Sequence, residues 1–199
     1  MIKVDKIAGI DEVGRGCLAG PVFAAVVILK NNINTKNIRD SKKIAFEERI
    51  SLSKYIKKNS IYAIGTASVD EINKLNILNA SLLSMSRALN KLKSKPSMVY
   101  IDGLFAPKNI KLKYKTIVKG DEKITSIAAA SILAKSARDL FMIKLAKKFP
   151  KYMWNKNFGY GTSQHLSGLK KYGLTKHHRK YFKPIHNMLI PRSRETQQY

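Results

Sequence analysis

Acidic residues are scarce in this sequence: 13 Asp and Glu stand against 38 Lys and Arg, a formal net charge of +25 at pH 7. So large an imbalance makes a polyanion the default partner, bound with an affinity that falls as salt rises. It also makes each remaining acid informative, above all an Asp held in an apolar setting. Cysteine is nearly absent. The lone Cys17 excludes an intrachain disulfide and fits a reducing cytoplasm. No apolar run reaches the length of a membrane span, since lysines interrupt even the long stretch from Ile124 to Phe149. The first residues show no charged-apolar-small leader pattern, so the expected location is cytoplasmic and no membrane partner is expected. The histidines have no zinc-type spacing with cysteine, and no nucleophile elbow supports serine chemistry. Neither an internal repeat nor a low-complexity segment is present.

What is there is organised around Lys6–Pro21, K-I-A-G-I-D-E-V-G-R-G-C-L-A-G-P. An apolar run (Ile7, Ala8, Ile10) delivers two adjacent acids, Asp11 and Glu12, and a Gly14-Arg15-Gly16 turn follows. Neighbouring side chains in a strand point to opposite faces, so the two acids would diverge unless the strand ends or bulges there. Taken singly, an Asp-Glu pair reads as a solvated step and Gly-Arg-Gly as a turn. Together at the end of an apolar strand they point to a site. Carboxylates flanked by Ile and Val are costly to bury bare, which makes a divalent cation the leading partner.

With 199 residues and 44% hydrophobic residues the chain can bury a sizeable core. Strands are expected at Lys6–Glu12, Val22–Leu29, Ile61–Ser68, Met98–Asp102 and Tyr114–Lys119. A helix is expected from Asp40-Ser41-Lys42-Lys43 to about Lys58, with Asp40 or Ser41 as N-cap. A short helix should begin at Ser68, and Leu78, Leu82, Met85, Leu89 and Leu92 mark an amphipathic helix ended by Pro96. A long helix from about Lys123 to Phe149 carries the small run Ala128-Ala129-Ala130-Ser131, which would let it sit close to a sheet. Helix and turn follow. The order implies an α/β fold: residues 1–150 as the main domain, 151–190 as a helical C-terminal segment and 191–199 as a polar tail.

Two further acids lie at element boundaries, Asp102 at the end of M-V-Y-I-D and Asp121 between a strand and the long helix. Taken alone, Asp121 reads more readily as an N-cap than as a site residue, and Asp102-Gly103 could be a mere turn. Strand ends are nonetheless where sites assemble in α/β sheets. Asp11, Glu12, Asp102 and Asp121 converging there would repel one another unless cations shared them. Oxygen donors suit Mg2+ or Mn2+, and two such ions about 4 Å apart stabilise both oxygens of an in-line phosphoryl displacement.

The motifs resemble those of ribonuclease HII, the type 2 ribonuclease H family. D-E-V-G-R-G-x-L-A-G-P-V is similar to its first block, with Cys17 where the family usually has proline. D-S-K-K (Asp40–Lys43), I-D-G (Ile101–Gly103), K-G-D (Lys119–Asp121), S-I-A-A-A-S-I-L-A-K-x-x-R-D (Ser126–Asp139), F-G-Y-G-T-x-x-H (Phe158–His165) and H-R-x-x-F-x-P (His178–Pro184) follow in the family's order. The resemblance implies a ribonuclease H-like mixed sheet flanked by helices, with a helical C-terminal extension that contacts substrate. It implies metal binding by Asp11, Glu12, Asp102 and Asp121 in catalysis. Gly14, Arg15 and Gly16 would meet the 2′-hydroxyl, and Tyr160 would stack on the following sugar. Lys42, Lys43 and Lys119 are expected phosphate contacts, whereas His165 and His178 read as structural.

The implied enzyme is a monomeric endoribonuclease that needs Mg2+ or Mn2+. Its substrates would be RNA–DNA hybrids and duplex DNA with embedded ribonucleotides. The sister family, ribonuclease HIII, carries a Glu at the fourth acid and an extra N-terminal domain. Asp121 and a first strand beginning near Lys6 favour HII. A rival of another class, a basic non-catalytic binding module, would show no carboxylate-dependent metal binding.

Overall fold

The computed structural model describes residues 6–38 and 44–190. Asp40–Lys43, and with it the expected start of the first helix, lies outside the described residues, as does the tail 191–199. Strand β1 (Ile7–Val13) forms the centre of a five-stranded sheet with β2 (Val22–Leu29), β3 (Ser60–Ala67), β4 (Met98–Asp102) and β5 (Tyr114–Ile117), in the order β3-β2-β1-β4-β5. The β1-β2 and β2-β3 pairs are antiparallel, and the β1-β4 and β4-β5 pairs parallel. Central position explains the near-continuous apolar runs of β2 and β4, which a sheet covered on both faces requires.

Helix α2 (Val69–Lys91) covers one face. Met85 and Ala88 pack there with Ala8, Ile10, Val26, Val99 and Ile101. Asn76, with φ 67° and ψ 169°, breaks this helix into the two pieces that the sequence pattern suggests. Its side-chain oxygen accepts the Asn79 N–H at 3.1 Å, so the second piece has its own Asn cap. The first piece carries a capping box of Ser68 and Glu71.

Helices α1 (Phe46–Lys58) and α4 (Thr125–Lys148) cover the other face, where Ile56 and the run Ala128–Ala130 meet Ala25 and Val27. Glycine brings α4 close: a Cβ on Gly9 of β1 would lie 2.2 Å from the Ser126 backbone. The small residues of α4 are thus buried against the sheet as expected. Truncating the fully buried Ile132 on this helix to Ala should cost about 2–5 kcal/mol.

The sequence places several boundaries a few residues away from the observed ones: α1 starts at Phe46 with Ala45 as its N-cap, and neither Asp40 nor Ser41 caps it. Strand β5 ends at Ile117, not Lys119, because Lys119 takes a left-handed conformation (φ 53°). A short helical turn, α3 (Gly120–Lys123), then precedes α4. Beyond α4, a 3₁₀ turn (Pro150–Tyr152) leads to α5 (Trp154–Asn157), α6 (Ser163–Tyr172) and α7 (Lys183–Leu189). Trp154, Leu169 and Ile185 pack with Leu18, Ala19 and Met142 in a separate apolar cluster. The C-terminal helices therefore sit against the loop that follows β1.

Candidate active site

Strand β1 is continuous through both of its acids: Asp11 pairs with Ala25 and Glu12 with Ala24, without a bulge. Strict alternation then sends the two carboxylates apart. Asp11 turns toward α4, where the Ser131 side chain hydrogen-bonds it. Glu12 turns toward α2 and lines a hollow with Leu78, Ser81, Met85 and Asp102. Asp102 serves both. Ile10 and Ile101 are the last paired residues of the parallel β1-β4 ladder, so Asp11 and Asp102 leave neighbouring strand ends side by side.

Backbone amides hold two of these carboxylates. The Glu12 N–H donates to Asp11 Oδ1, and the Gly120 N–H donates to Asp102 Oδ1, both at 2.7 Å. Asp121 follows Gly120 directly and is 8% exposed. It lies inside α3 instead of capping α4, whose N-cap is Ile124 with no side-chain cap. The capping role that the sequence left open for Asp121 is therefore not used at α4.

Burial pushes the Asp11 carboxyl well above the ordinary carboxylate range, and the charges of Glu12 and Asp102 push it further. Burial also raises Glu12, with Asp102 adding to the shift and the nearby Arg15 guanidinium opposing it. Arg15 Nη1 lies 3.3 Å from Glu12 Oε1. The donor set is entirely oxygen, the chemistry that suits a hard divalent cation. Among the described residues, no three carboxylate, histidine or cysteine side chains stand grouped as a ready cage. A cation that keeps several waters and takes only one or two carboxylates needs no such cage, so these residues fit a Mg2+ or Mn2+ ion.

The glycine turn lies beside the acids. Gly14 has φ +94°, and a Cβ there would strike the Arg138 side chain at 2.2 Å. Packing against Arg138 thus explains the glycine at this position. Gly16 is different: a Cβ on it would meet nothing within 4 Å, so its face is open. Arg15 and Gly16 are exposed. Lys119 is exposed on the turn that contains Gly120, whereas Lys42 and Lys43 lie outside the described residues.

Tyr160 lies near Cys17 and Arg138 and is 38% exposed. Burial, with the neighbouring Cys17 adding to it, pushes the Tyr160 pKa up to about 12. Lys135 Nζ sits 5.6 Å from the Tyr160 ring centre and 2.8 Å from Asp139 Oδ1. Behind Tyr160 runs a chain of neutral histidines. The Thr175 N–H donates to His178 Nδ1 (2.9 Å), which leaves the His178 proton on Nε2 to face His165 Nε2 at 3.1 Å. Trp154 Nε1 donates to the same His165 nitrogen at 3.0 Å, so His165 Nδ1 carries the proton given to the Tyr160 carbonyl at 2.9 Å. Burial lowers both histidines, and His178, with His165 beside it, falls to about 4. Their role here is structural and backbone-contacting.

Ser131, Arg138 and Arg179 support this region and were not singled out as site residues from the sequence. Their signal is faint, since each sits inside a longer motif that gives no single residue in it a chemical role.

A model of the family Ribonuclease HII matches residues 8–185. The Ribonuclease HII of Pelagibacter ubique is 58% identical over 185 residues, covering 92% of this chain and 98% of the relative. The solved ribonuclease H2 from Pyrococcus horikoshii OT3 superposes with a TM-score of 0.77 at 25% identity, over 92% of this chain and 96% of that one. Bst-RNase HIII, solved in complex with Mn2+, gives a TM-score of 0.75 at 18% identity over 92% of this chain and 69% of its own, a likeness of fold alone. Fold and relatives define an endonuclease, a hydrolase of the ribonuclease H class. Within that class, the chain belongs to the ribonuclease HII family.

Proposed function

We propose that this endonuclease hydrolyses the RNA strand of RNA–DNA hybrids and also cuts 5′ of single ribonucleotides embedded in duplex DNA. The products are a 3′-hydroxyl and a 5′-phosphate, and the purpose is removal of ribonucleotides from DNA. The observation that carries this reading is a cluster of mutually repelling acids beside an open glycine backbone in a chain of net charge +25. A cationic exterior draws in the polyanion, and an acid cluster within it is of use only where a cation is shared.

Asp11, Glu12, Asp102 and Asp121 would hold Mg2+ or Mn2+; Mn2+ is the ion named with Bst-RNase HIII. When bound, the ion supplies Lewis-acid stabilisation of an in-line displacement at phosphorus. The chain's own residues prepare the acids for that task. The Ser131 hydroxyl and the Glu12 N–H orient Asp11, the Gly120 N–H fixes Asp102, and Arg15 steadies Glu12. Substrate is read by the Gly14–Gly16 backbone, which meets the 2′-hydroxyl that distinguishes RNA from DNA. Tyr160 stacks on the next sugar, favouring deoxyribose there. Lys119, Lys42 and Lys43 contact phosphates, and the C-terminal segment 151–190 adds to the substrate surface. The enzyme acts as a cytoplasmic monomer.

The test is cleavage of a duplex carrying one ribonucleotide by the Asp102→Asn variant in Mg2+. A loss of at least about 100-fold is expected, since even residues one step removed from a metal cost 10–100-fold. Cutting at the wild-type rate would refute the assignment.

A further inference from the structure

Two guanidiniums lie beneath the glycine turn, and each donates three hydrogen bonds to backbone carbonyl oxygens of the turn, the loop that follows it or Phe158. Arg138, on α4, donates from Nε to Pro21 (3.0 Å), from Nη2 to Ala19 (3.0 Å) and from Nη1 to Phe158 (2.9 Å). Arg179 donates from Nε and Nη2 to Gly20 (3.0 and 2.8 Å) and from Nη1 to Arg15 (2.9 Å). Both residues are completely buried. Among the described residues neither has a carboxylate partner.

A buried cation with no counter-anion is costly. Apolar side chains could fill the same space with less penalty, so something other than packing retains this pair. The peptide geometry suggests what. In a trans peptide the C=O of one residue and the N–H of the next point in opposite directions. Arg179 draws the Arg15 carbonyl inward, so the Gly16 N–H is turned outward. Gly16 itself is exposed, and a Cβ on it would meet nothing within 4 Å. The turn cannot relax on its other side either, because the Gly14 backbone (φ +94°) rests on the Arg138 side chain. Main-chain bonds fasten the rest of the loop: Gly20 N–H to the His177 carbonyl and Arg179 N–H to the Leu18 carbonyl, both at 2.9 Å.

We propose that Arg138 and Arg179 are positioning residues that pull carbonyls of the turn and the loop after it inward and thereby present the Gly16 N–H to the 2′-hydroxyl of the ribonucleotide. This rests on the reading of Gly14–Gly16 as the ribonucleotide contact. Lysine in either place keeps the charge but loses the fork that spans several carbonyls.

The test is a binding ratio, measured without added divalent metal so that nothing is cut. Affinity for a duplex carrying one ribonucleotide is divided by affinity for the same duplex in all-DNA form, with melting temperature followed in parallel. Arg179→Lys and Arg138→Lys should lower the ratio about tenfold and leave all-DNA affinity within about twofold. A merely structural role would lower both affinities together, and an unchanged ratio in both folded variants overturns the proposal. Gly16→Ala separates the two layers. Loss of the ratio in Gly16→Ala with its retention in the arginine variants overturns the clamp alone. Retention in Gly16→Ala overturns the reading of the turn and the clamp with it. Should neither lysine variant fold, amide exchange of the wild type decides. The Gly16 amide should exchange freely and become protected by the ribonucleotide duplex but not by the all-DNA one. Protection in the free protein, or none on binding, overturns the proposal.

Discussion

Carboxylates meet where β1 and β4 run side by side and guanidiniums lie under the Gly14–Gly16 turn and its loop, and the two groups are stabilised in different ways. Asp11 and Glu12 are buried on opposite faces of β1, both feel the Asp102 charge, and their proton affinities rise accordingly. Arg138 and Arg179 are buried as deeply, yet every donor on their guanidiniums that the fold engages meets a carbonyl dipole. An acid can escape its neighbours by taking up a proton or sharing a cation. A guanidinium has no such escape at ordinary pH, so its surroundings must be built in full. The acid side is therefore adjustable and the arginine side is rigid, a division suited to a site where the ion comes and goes above a fixed reading surface.

The largest effect that would break this contrast is catalytic. Asp102→Asn should abolish most cleavage while leaving the ribonucleotide-to-DNA binding ratio near the wild-type value, because the arginine side is untouched. The arginine variants should do the reverse, lowering the ratio first.

The next effect is on stability and its pH dependence. Asp11 and Glu12 have folded-state pKa values above their ordinary ones, so between the two the folded chain holds more protons than the unfolded chain. The stability they contribute is full below the ordinary carboxylate range and is lost as pH rises through the raised values. His165 and His178 act in the opposite direction. Their folded pKa values are lowered, to about 4 for His178, so stability falls as pH drops from about 6.5 toward 4. Thermal melts in chelator across about pH 5 to 9 should show Asp11→Asn melting above wild type by a few degrees on the neutral side. A gain of ~1 kcal/mol corresponds to roughly 2–4 °C at this size. The acid-side loss should persist in that variant. Divalent metal should raise the wild-type melting temperature and raise that of Asp11→Asn less.

The smallest effect serves as a reference for an exposed ion pair. Glu71 joins the two pieces of α2 through Arg87, at 2.6 Å, and the arginine holds its pKa down to about 2. Both side chains are partly exposed, so screening discounts the pair. Glu71→Ala, which also removes half of a capping box, should cost about 1 kcal/mol. That contribution is present above the ordinary Glu value and is lost as pH falls toward about 2.

Much of the fold was legible because central strands announce themselves. The expected limits of β2 and β4 are the observed ones, since uninterrupted Val, Ile and Ala runs have few other places to go. The end of β5 was harder to read: a left-handed Lys119 leaves no compositional trace. Of the site, the positions of Asp11, Glu12 and Asp102 could be read from strand ends, but their orientations follow from register. An unbulged β1 sends Asp11 and Glu12 to opposite faces, and only the β4 neighbour brings Asp102 between them. The arginines were hidden because burial is not written in a motif. Their one trace is compositional. In a chain dominated by lysine, the described arginines Arg15, Arg49, Arg87, Arg138 and Arg179 all make directed side-chain hydrogen bonds, the task for which a planar fork exceeds an ammonium.

The account depends on the acids at the ends of β1 and β4 sharing a cation, which Mn2+ binding reports without any need for turnover. Titration of the metal-free protein with Mn2+, followed through the spin-resonance signal of the free ion, should show binding by the wild type and loss of at least about tenfold in affinity in both Asp11→Asn and Asp102→Asn. Equal Mn2+ affinity in the wild type and both variants would contradict it.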